Sequence, residues 1–571
     1  MPALHRRIHR LATAAALALG ALGPLAGAQD EGGAAGRERA PGGRGQDEPA
    51  RPNILLVLAD DMGFSDVGCY GGEIETPQLD RLAAGGLRFT QFYNAGRCCP
   101  TRASLLTGLW PHQAGVGDMM SDEGSDAYRG DLSPAAVTIA EVLKDAGYAT
   151  FLSGKWHVTK QIGLWYGLPE VDARHNWPRQ RGFERFYGTL HGAASFYDPV
   201  TLTLDDEPQP SPRGDFYYTD AISEHAARFL REHFAAGDGR PFFCHLAYTA
   251  PHWPLHARAR DVERCAGRYD GGWDELRRAR LARMVELGIV DASWALSPRD
   301  ELVRAWEDEP RPEWRARAME VYAAQVECMD RGIGRILSVL EQHGALANTL
   351  VLFLADNGGS AEEAHPLWKG GLHVPRSTRA GRPVRVGNDP RVLPGPEDTY
   401  QSYGRPWANA SNTPFRLYKH FVHEGGIATP LIAHWPARIA DAGALRHRPG
   451  HVIDVMATCV DAARASYPRE RGGLPVTPME GESLLAVFER DDPERGPLFW
   501  EHEGNAAVRL GRWKLVARHD PAGRRWELFD LALDRAETRD LAGAEPERVA
   551  RLAALWDAWA ERCGVRPWPL R

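Results

Sequence analysis

The sequence predicts an α/β protein: a large, mostly parallel mixed sheet sandwiched between helices, followed by a smaller C-terminal α+β region with an antiparallel sheet. Three observations predict it. Four short apolar runs, Asn53–Ala59, 148–153, 241–248 and Thr349–Ala355, read as strands, and the first, continuously apolar and in part β-branched, as one buried on both faces. Helical stretches at 134–146, 217–234 and 317–342 fall between them, and the order β-α-β builds a parallel sheet covered by helices. From residue 484 onward the texture changes to short strands and tight turns.

At 571 residues the chain exceeds one compact core. The expected division is an export signal at 1–28, a disordered lead-in at 29–51, a main α/β domain at 52–480 and a C-terminal subdomain at 481–571. Arg6, Arg7 and Arg10 precede an apolar run at 11–26 that ends in Ala26-Gly27-Ala28, the pattern of a secretory signal cleaved after Ala28. That run is short and broken by Gly20, Gly23 and Pro24, and no other stretch is long enough to span a bilayer, so no stable membrane insertion is expected. The mature protein is expected in a periplasm or outside the cell. A net charge of -8, with acids and bases mixed throughout, argues against a nucleic-acid partner. Eight cysteines permit disulfides in an exported chain, but their spacing forms neither a compact framework nor a zinc pattern.

Taken in order, residues 29–51 are rich in Gly, Arg, Glu and Asp with almost nothing to bury. Asn53–Ala59 opens the ordered chain and stops at Asp60-Asp61. The run 148–153 gives way to Gly154-Lys155-Trp156-His157, 241–248 to Thr249-Ala250-Pro251-His252, and Thr349–Ala355 to Asp356-Asn357-Gly358-Gly359. In open sheets of this kind ligands collect beyond the carboxyl ends of the strands, so Asp60, Asp61, Lys155, His157, His252, Asp356 and Asn357 are expected to converge on one edge. Two long segments interrupt the pattern: 257–314, with Trp273, Trp294 and Trp306, and the Pro- and Gly-rich 360–413. Such loops serve either as binding walls and lids or as surface decoration. Next come Tyr418-Lys419-His420-Phe421-Val422-His423-Glu424-Gly425-Gly426 and an apolar strand at 430–434. Strands at 498–500, 513–516 and 526–531, a turn at Pro521-Ala522-Gly523 and an amphipathic helix at 546–560 close the chain.

One stretch carries the most chemistry: Cys98-Cys99-Pro100-Thr101-Arg102-Ala103-Ser104-Leu105-Leu106-Thr107-Gly108. Pro100 suits the first turn of a helix, residues 103–106 carry it onward, and Gly108 stops it. Cys98 then sits at the positive end of that helix beside Arg102, where a thiolate or a bound anion is stabilised. The plain alternative is an apolar Cys-Cys pair in a core, but the full eleven-residue pattern favours a functional site. Asp60, Asp61, Asp356 and Asn357 supply only oxygen donors, which suits calcium or magnesium better than zinc. Adjacent Asp60 and Asp61 would repel at a buried strand end unless a cation or an arginine neutralised them.

The eleven-residue stretch resembles the signature of the sulfatase family, and the resemblance covers nearly all of the mature chain. It implies an alkaline-phosphatase-like sandwich and the hydrolysis of sulfate monoesters. In that family the first cysteine of Cys-x-Pro-x-Arg, here Cys98, is oxidised by a maturing enzyme to formylglycine, an aldehyde whose hydrate attacks sulfur. The positions matching Asp60, Asp61, Asp356 and Asn357 hold calcium, and the formylglycine at Cys98 completes the shell. Arg102 is implied to hold the formylglycine hydroxyl, Lys155 and Lys419 to grip sulfate oxygens, His252 to protonate the departing oxygen and His157 to take a proton from the remaining hydroxyl. The stretches 247–254, 329–334 and 412–416 resemble the bacterial arylsulfatase branch most. The implied substrate is a sulfated small molecule or a sulfated glycan. The rival readings are a phosphomonoester or phosphonate-monoester hydrolase of the same superfamily and a non-catalytic binder of sulfated glycans.

Overall fold

The computed structural model describes residues 50–168 and 173–570. The expected export signal and the lead-in up to residue 49 lie outside the described residues. The strand Asn53–Ala59 shows why an unbroken apolar run is needed: Leu55, Val57 and Ala59 enter one core, while Ile54, Leu56 and Leu58 enter another on the opposite face. It lies in the middle of the sheet. Phe242–Ala247 runs parallel on one side and Thr349–Ala355 parallel on the other. Ala149–Lys155 and Arg185–Thr189 extend the parallel set beyond Phe242–Ala247. At the other flank Ala428–His434 pairs antiparallel with both Thr349–Ala355 and Leu87–Tyr93. The sheet is therefore mixed and mostly parallel, with eleven strands among the described residues.

Helices Pro77–Ala84, Tyr218–Ala236 and Pro312–Gln342 cover one face, and Cys98–Thr107, Ile139–Asp145 and Ile453–Ala462 cover the other. This is the expected three-layer sandwich. Register matters for the site: Ala59 lies opposite Ala355, and Leu58 opposite Ala247, so the polar residues that follow these strands emerge at one edge.

Some elements differ from the sequence reading. The helix expected over 134–146 begins at Ile139, because Thr138 accepts from the Glu141 amide while the Glu141 carboxylate accepts from the Thr138 amide, a reciprocal cap that fixes its first turn. The strands Leu87–Tyr93 and Arg185–Thr189 had no clear apolar signature. The segment 257–314, read from sequence as a long loop, contains helices Ala259–Glu263 and Gly272–Glu286. Buried Trp273 meets Trp306 at 4.7 Å and Trp407 at 5.5 Å, and buried Arg280 pairs with Asp66 and Glu73, each at 2.7 Å.

At the C-terminus, Leu498–His502, Asn505–Leu510, Trp513–Ala517 and Glu527–Asp530 form an antiparallel meander, over which Pro546–Cys563 lays Trp556 and Trp559. A fully buried charge cluster ties this sheet to the main one. Glu424 accepts from Lys514 at 2.9 Å, Arg535 at 2.8 Å and Tyr93 at 2.9 Å, and Lys514 also pairs with Glu537 at 2.8 Å. Burial alone would raise the Glu424 carboxyl, but Lys514 and Arg535 reverse this and hold it at about 2. Its stabilisation is therefore present above its ordinary value of 4.5 and is lost as pH falls toward about 2. Lys514→Met leaves buried carboxylates short of a partner and is expected to cost about 3–5 kcal/mol. Thermal unfolding and acid titration check this: a lower melting temperature and an acid transition at higher pH are expected, and an unchanged pair of values would contradict it.

All eight cysteines are buried and unpaired. No helix among the described residues is long and apolar enough to cross a membrane.

Candidate active site

The edge at the strand ends holds a dense set of charges. The Asp60 amide donates to the Ala250 carbonyl and the Asp356 amide to the Ala59 carbonyl, each at 3.1 Å, so the loops leaving three strands are stitched together before any side chain is considered. Asp61 follows in a left-handed backbone conformation, φ 60°, a strain of about 1–3 kcal/mol that recurs at functional sites. Its amide donates to Asp356 Oδ1 at 3.2 Å, and its Oδ1 accepts from Asn357 Nδ2 at 2.7 Å. Two Gly-Gly pairs bring the neighbouring loops close: a Cβ at Gly358 would stand 1.9 Å from the Gly425 carbonyl oxygen.

Cys98 opens the buried helix Cys98–Thr107, which Gly108 ends in a left-handed turn. One turn on, Arg102 grips Asp356 Oδ2 with Nε at 3.0 Å and Nη2 at 2.7 Å, and gives Nη1 to the Lys155 carbonyl at 3.0 Å. Lys155 Nζ lies 2.7 Å from Asp60 Oδ2. Burial would lower the Lys155 ammonium, but Asp60 and Cys98 raise it and it stays charged. The Cys99 side chain, followed by Lys155 and His157, holds the Cys98 thiol well below its ordinary range against burial. His157 also has a left-handed backbone, φ 57°, and faces Cys99 Sγ at 3.2 Å from Nε2. Burial, then Lys155, lowers its imidazole to about 4, so it is neutral near pH 7 and able to accept a proton.

On the far side, Lys419 Nζ pairs with Asp61 Oδ2 and Glu362 Oε2, both at 2.9 Å, and lies 3.4 Å from His252 Nε2. His252 Nδ1 faces the Trp253 carbonyl at 2.5 Å, which leaves Nε2 toward the site, 3.3 Å from Asp61 Oδ2. The structure thus brings all ten sequence-predicted residues to one place. It adds others that sequence reasoning missed. Glu362 meets Lys419 and lies 3.3 Å from His420, while Glu503 meets His420 at 2.8 Å and Arg97 packs on the same imidazole. Glu362 lies in the loop after Asp356-Asn357 and was findable as its nearby acid. Glu503 comes from a C-terminal hairpin turn and had no local signal.

Lys155, Arg102 and Lys419 already give Asp60, Asp356 and Asp61 organic partners, so repulsion between the carboxylates is not what points to a metal. The unpartnered oxygens are. Asp60 Oδ1 and Asn357 Oδ1 are buried and meet no donor, side by side with Asp61 and Asp356. Burial, then Asp60, pushes the Asp356 carboxyl well up, with Arg102 and Lys155 opposing. Four oxygen donors with two orphaned lone-pair sites suit a hard cation.

The sulfatase family model matches residues 52–465, the greater part of the chain. The chain belongs to the sulfatase family. As a sulfatase it is a sulfuric ester hydrolase. It is 34% identical to an arylsulfatase of Klebsiella aerogenes over 463 residues, 78% of this chain and 94% of that one. It is 32% identical to an uncharacterized sulfatase of Schizosaccharomyces pombe over 553 residues, 91% of this chain and 95% of its relative. Among solved structures, Ps i-CgsB in complex with k-i-k-neocarrahexaose shares the fold of this sulfatase, with a TM-score of 0.62 and 23% identity over 90% of this chain and 93% of that one.

Proposed function

We propose that this sulfatase cleaves sulfate monoesters to an alcohol or phenol and inorganic sulfate, using a formylglycine made from Cys98 by a maturing enzyme and a calcium ion held by Asp60, Asp61, Asp356 and Asn357. The observation that carries the reading is a cysteine at a helix start, grouped with His157 and within the electrostatic reach of Lys155 and Arg102, beside the oxygen-bearing Asp60, Asp61, Asp356 and Asn357, two of whose oxygens are orphaned. Formylglycine supplies a hydrated aldehyde as the nucleophile toward sulfur, and calcium supplies a positive charge that favours its ionised form.

The chain's own residues do the rest. Lys155 and Lys419, buried and charged, are placed to neutralise the sulfate oxygens as charge gathers there. Arg102 holds Asp356 and the backbone of Lys155 in place. His252, fixed by its Nδ1 contact, presents Nε2 to protonate the leaving oxygen, with Lys419 beside it. Neutral His157, on the Cys98 side, would take a proton from the remaining hydroxyl of the sulfated group, so that the aldehyde re-forms and sulfate leaves.

Removing the acid matters most for a strongly basic leaving oxygen. His252→Ala is expected to slow alkyl or sugar sulfates by about 100-fold more than nitrophenyl sulfate, whereas His157→Ala slows both alike. Rates across leaving groups of graded pKa check this, and a slope unchanged from the parent would remove His252 from the role of acid.

The same donors would also suit phosphorus. Turnover of sulfate and phosphate esters of one phenol separates the readings, and a preference for phosphate would overturn ours. Binding of a sulfated sugar without turnover would favour the non-catalytic reading. The likeness to an arylsulfatase supports a sulfated small molecule, and that to a structure bound to neocarrahexaose supports a glycan. The basic-then-apolar N-terminus supports export to a periplasm or the medium.

A further inference from the structure

We propose that the chain, before Cys98 is converted, holds a thiophilic metal ion of the zinc class on Cys98, Cys99 and His157. One ligand atom from each of the three lies within 4.8 Å of the others, and all three residues are buried. Cys99 Sγ packs against the His157 imidazole, 3.2 Å from Nε2 and 3.4 Å from Nδ1, so a turn of the ring is needed to aim one nitrogen at an ion shared with the sulfur. Met119 Sδ, 3.7 Å from Cys99 Sγ, adds a fourth soft atom to the same wall.

The ligands sit on rigid elements. Both thiols come from the first turn of a ten-residue helix, and His157 follows a central strand in a fixed, left-handed conformation. Lys155 is paired with Asp60 at 2.7 Å, which offsets part of its repulsion of an incoming ion. Of the two other groupings of this kind among the described residues, Asp60, Asp61 and His252 belong to the site already described, and His420, His502 and Glu503 have the Arg97 guanidinium against His420, which takes the place an ion would need.

Two donor sets of different preference therefore lie side by side: sulfur and nitrogen on the Cys98 side, and mainly oxygen, with the His252 nitrogen at its margin, on the Asp60 side. When the soft ion binds, two metal–sulfur bonds form, the two thiol protons leave to solvent, and His157 binds as the neutral base. Conversion of Cys98 replaces one sulfur by oxygen and dismantles the site. A metal-loaded chain is thus one whose Cys98 is still a thiol side chain. This inference rests on reading Cys98 as the residue converted.

The test uses the full chain made in cells without the maturing enzyme, titrated with zinc against a chromophoric chelator and with cadmium by its thiolate charge-transfer absorbance. One ion per chain is expected, with affinity weaker by about 100-fold or more in Cys99→Ser, in His157→Gln and in the converted chain. Unfolding curves for the variants establish that each is folded. Zinc binding that is absent from the thiol form, or equal in Cys99→Ser or in the converted chain, would overturn the proposal. Hydrolysis of nitrophenyl sulfate by the converted chain is measured in parallel, so its presence or absence judges the sulfatase mechanism separately.

Discussion

Cys98→Ala is expected to lower hydrolysis of nitrophenyl sulfate by about 10⁵-fold, the order seen when an enzyme loses its nucleophile, while Cys99→Ala stays within about tenfold of the parent. The two cysteines are adjacent and both buried, yet their surroundings differ. Only Cys98 has Pro100 two residues on and Arg102 four residues on, and only its thiol is held low, whereas burial and then Cys98 itself push the Cys99 thiol well up. Losing Cys99 removes a contact to His157 and leaves the Lys155, Arg102 and Asp356 framework standing. A collapse of turnover in the Cys99 variant alone would reverse the assignment.

The second large effect is expected at Asp356. Its carboxylate takes two bonds from the buried Arg102 guanidinium and one from the Asp61 amide. After Asp356→Ala, Arg102 keeps only Asp60 at 3.7 Å as an acidic partner and the Lys155 carbonyl as an acceptor. Leaving that charge underpaired costs about 3–5 kcal/mol of stability. The same substitution deletes an oxygen donor of the proposed calcium site, so metal content and turnover should fall together, the latter by at least about 100-fold. Elemental analysis and thermal unfolding of one sample measure both, and full metal occupancy in a destabilised chain would leave Asp356 as Arg102's partner and nothing more.

The strand-end residues were legible because a doubly buried parallel strand is an unbroken apolar run, and the first polar residue after it marks the sheet edge. Asp60, Lys155, His252 and Asp356 were found this way. Lys419 was not legible from pattern alone, since its loop has no periodicity. Its place is set by long-range contacts instead: Gly426 meets the Phe421 carbonyl too closely for any Cβ, and Glu424 is anchored by Lys514 and Arg535 from far along the chain. Glu503 illustrates the same limit, because a hairpin turn in the C-terminal sheet delivers it to His420 across 83 residues of sequence. The strand Leu87–Tyr93, with Arg88 and Gln91 half-exposed, mixes polar and apolar residues without alternation, which hid it.

The central claim is that Cys98 becomes formylglycine. Trypsin releases it within Cys98-Cys99-Pro100-Thr101-Arg102. In active protein from cells that carry the maturing enzyme, the mass of that peptide is predicted to fall by the loss of H₂S and the gain of one oxygen, with fragmentation placing the change on Cys98. A fully active preparation in which this peptide keeps both thiols would contradict the account.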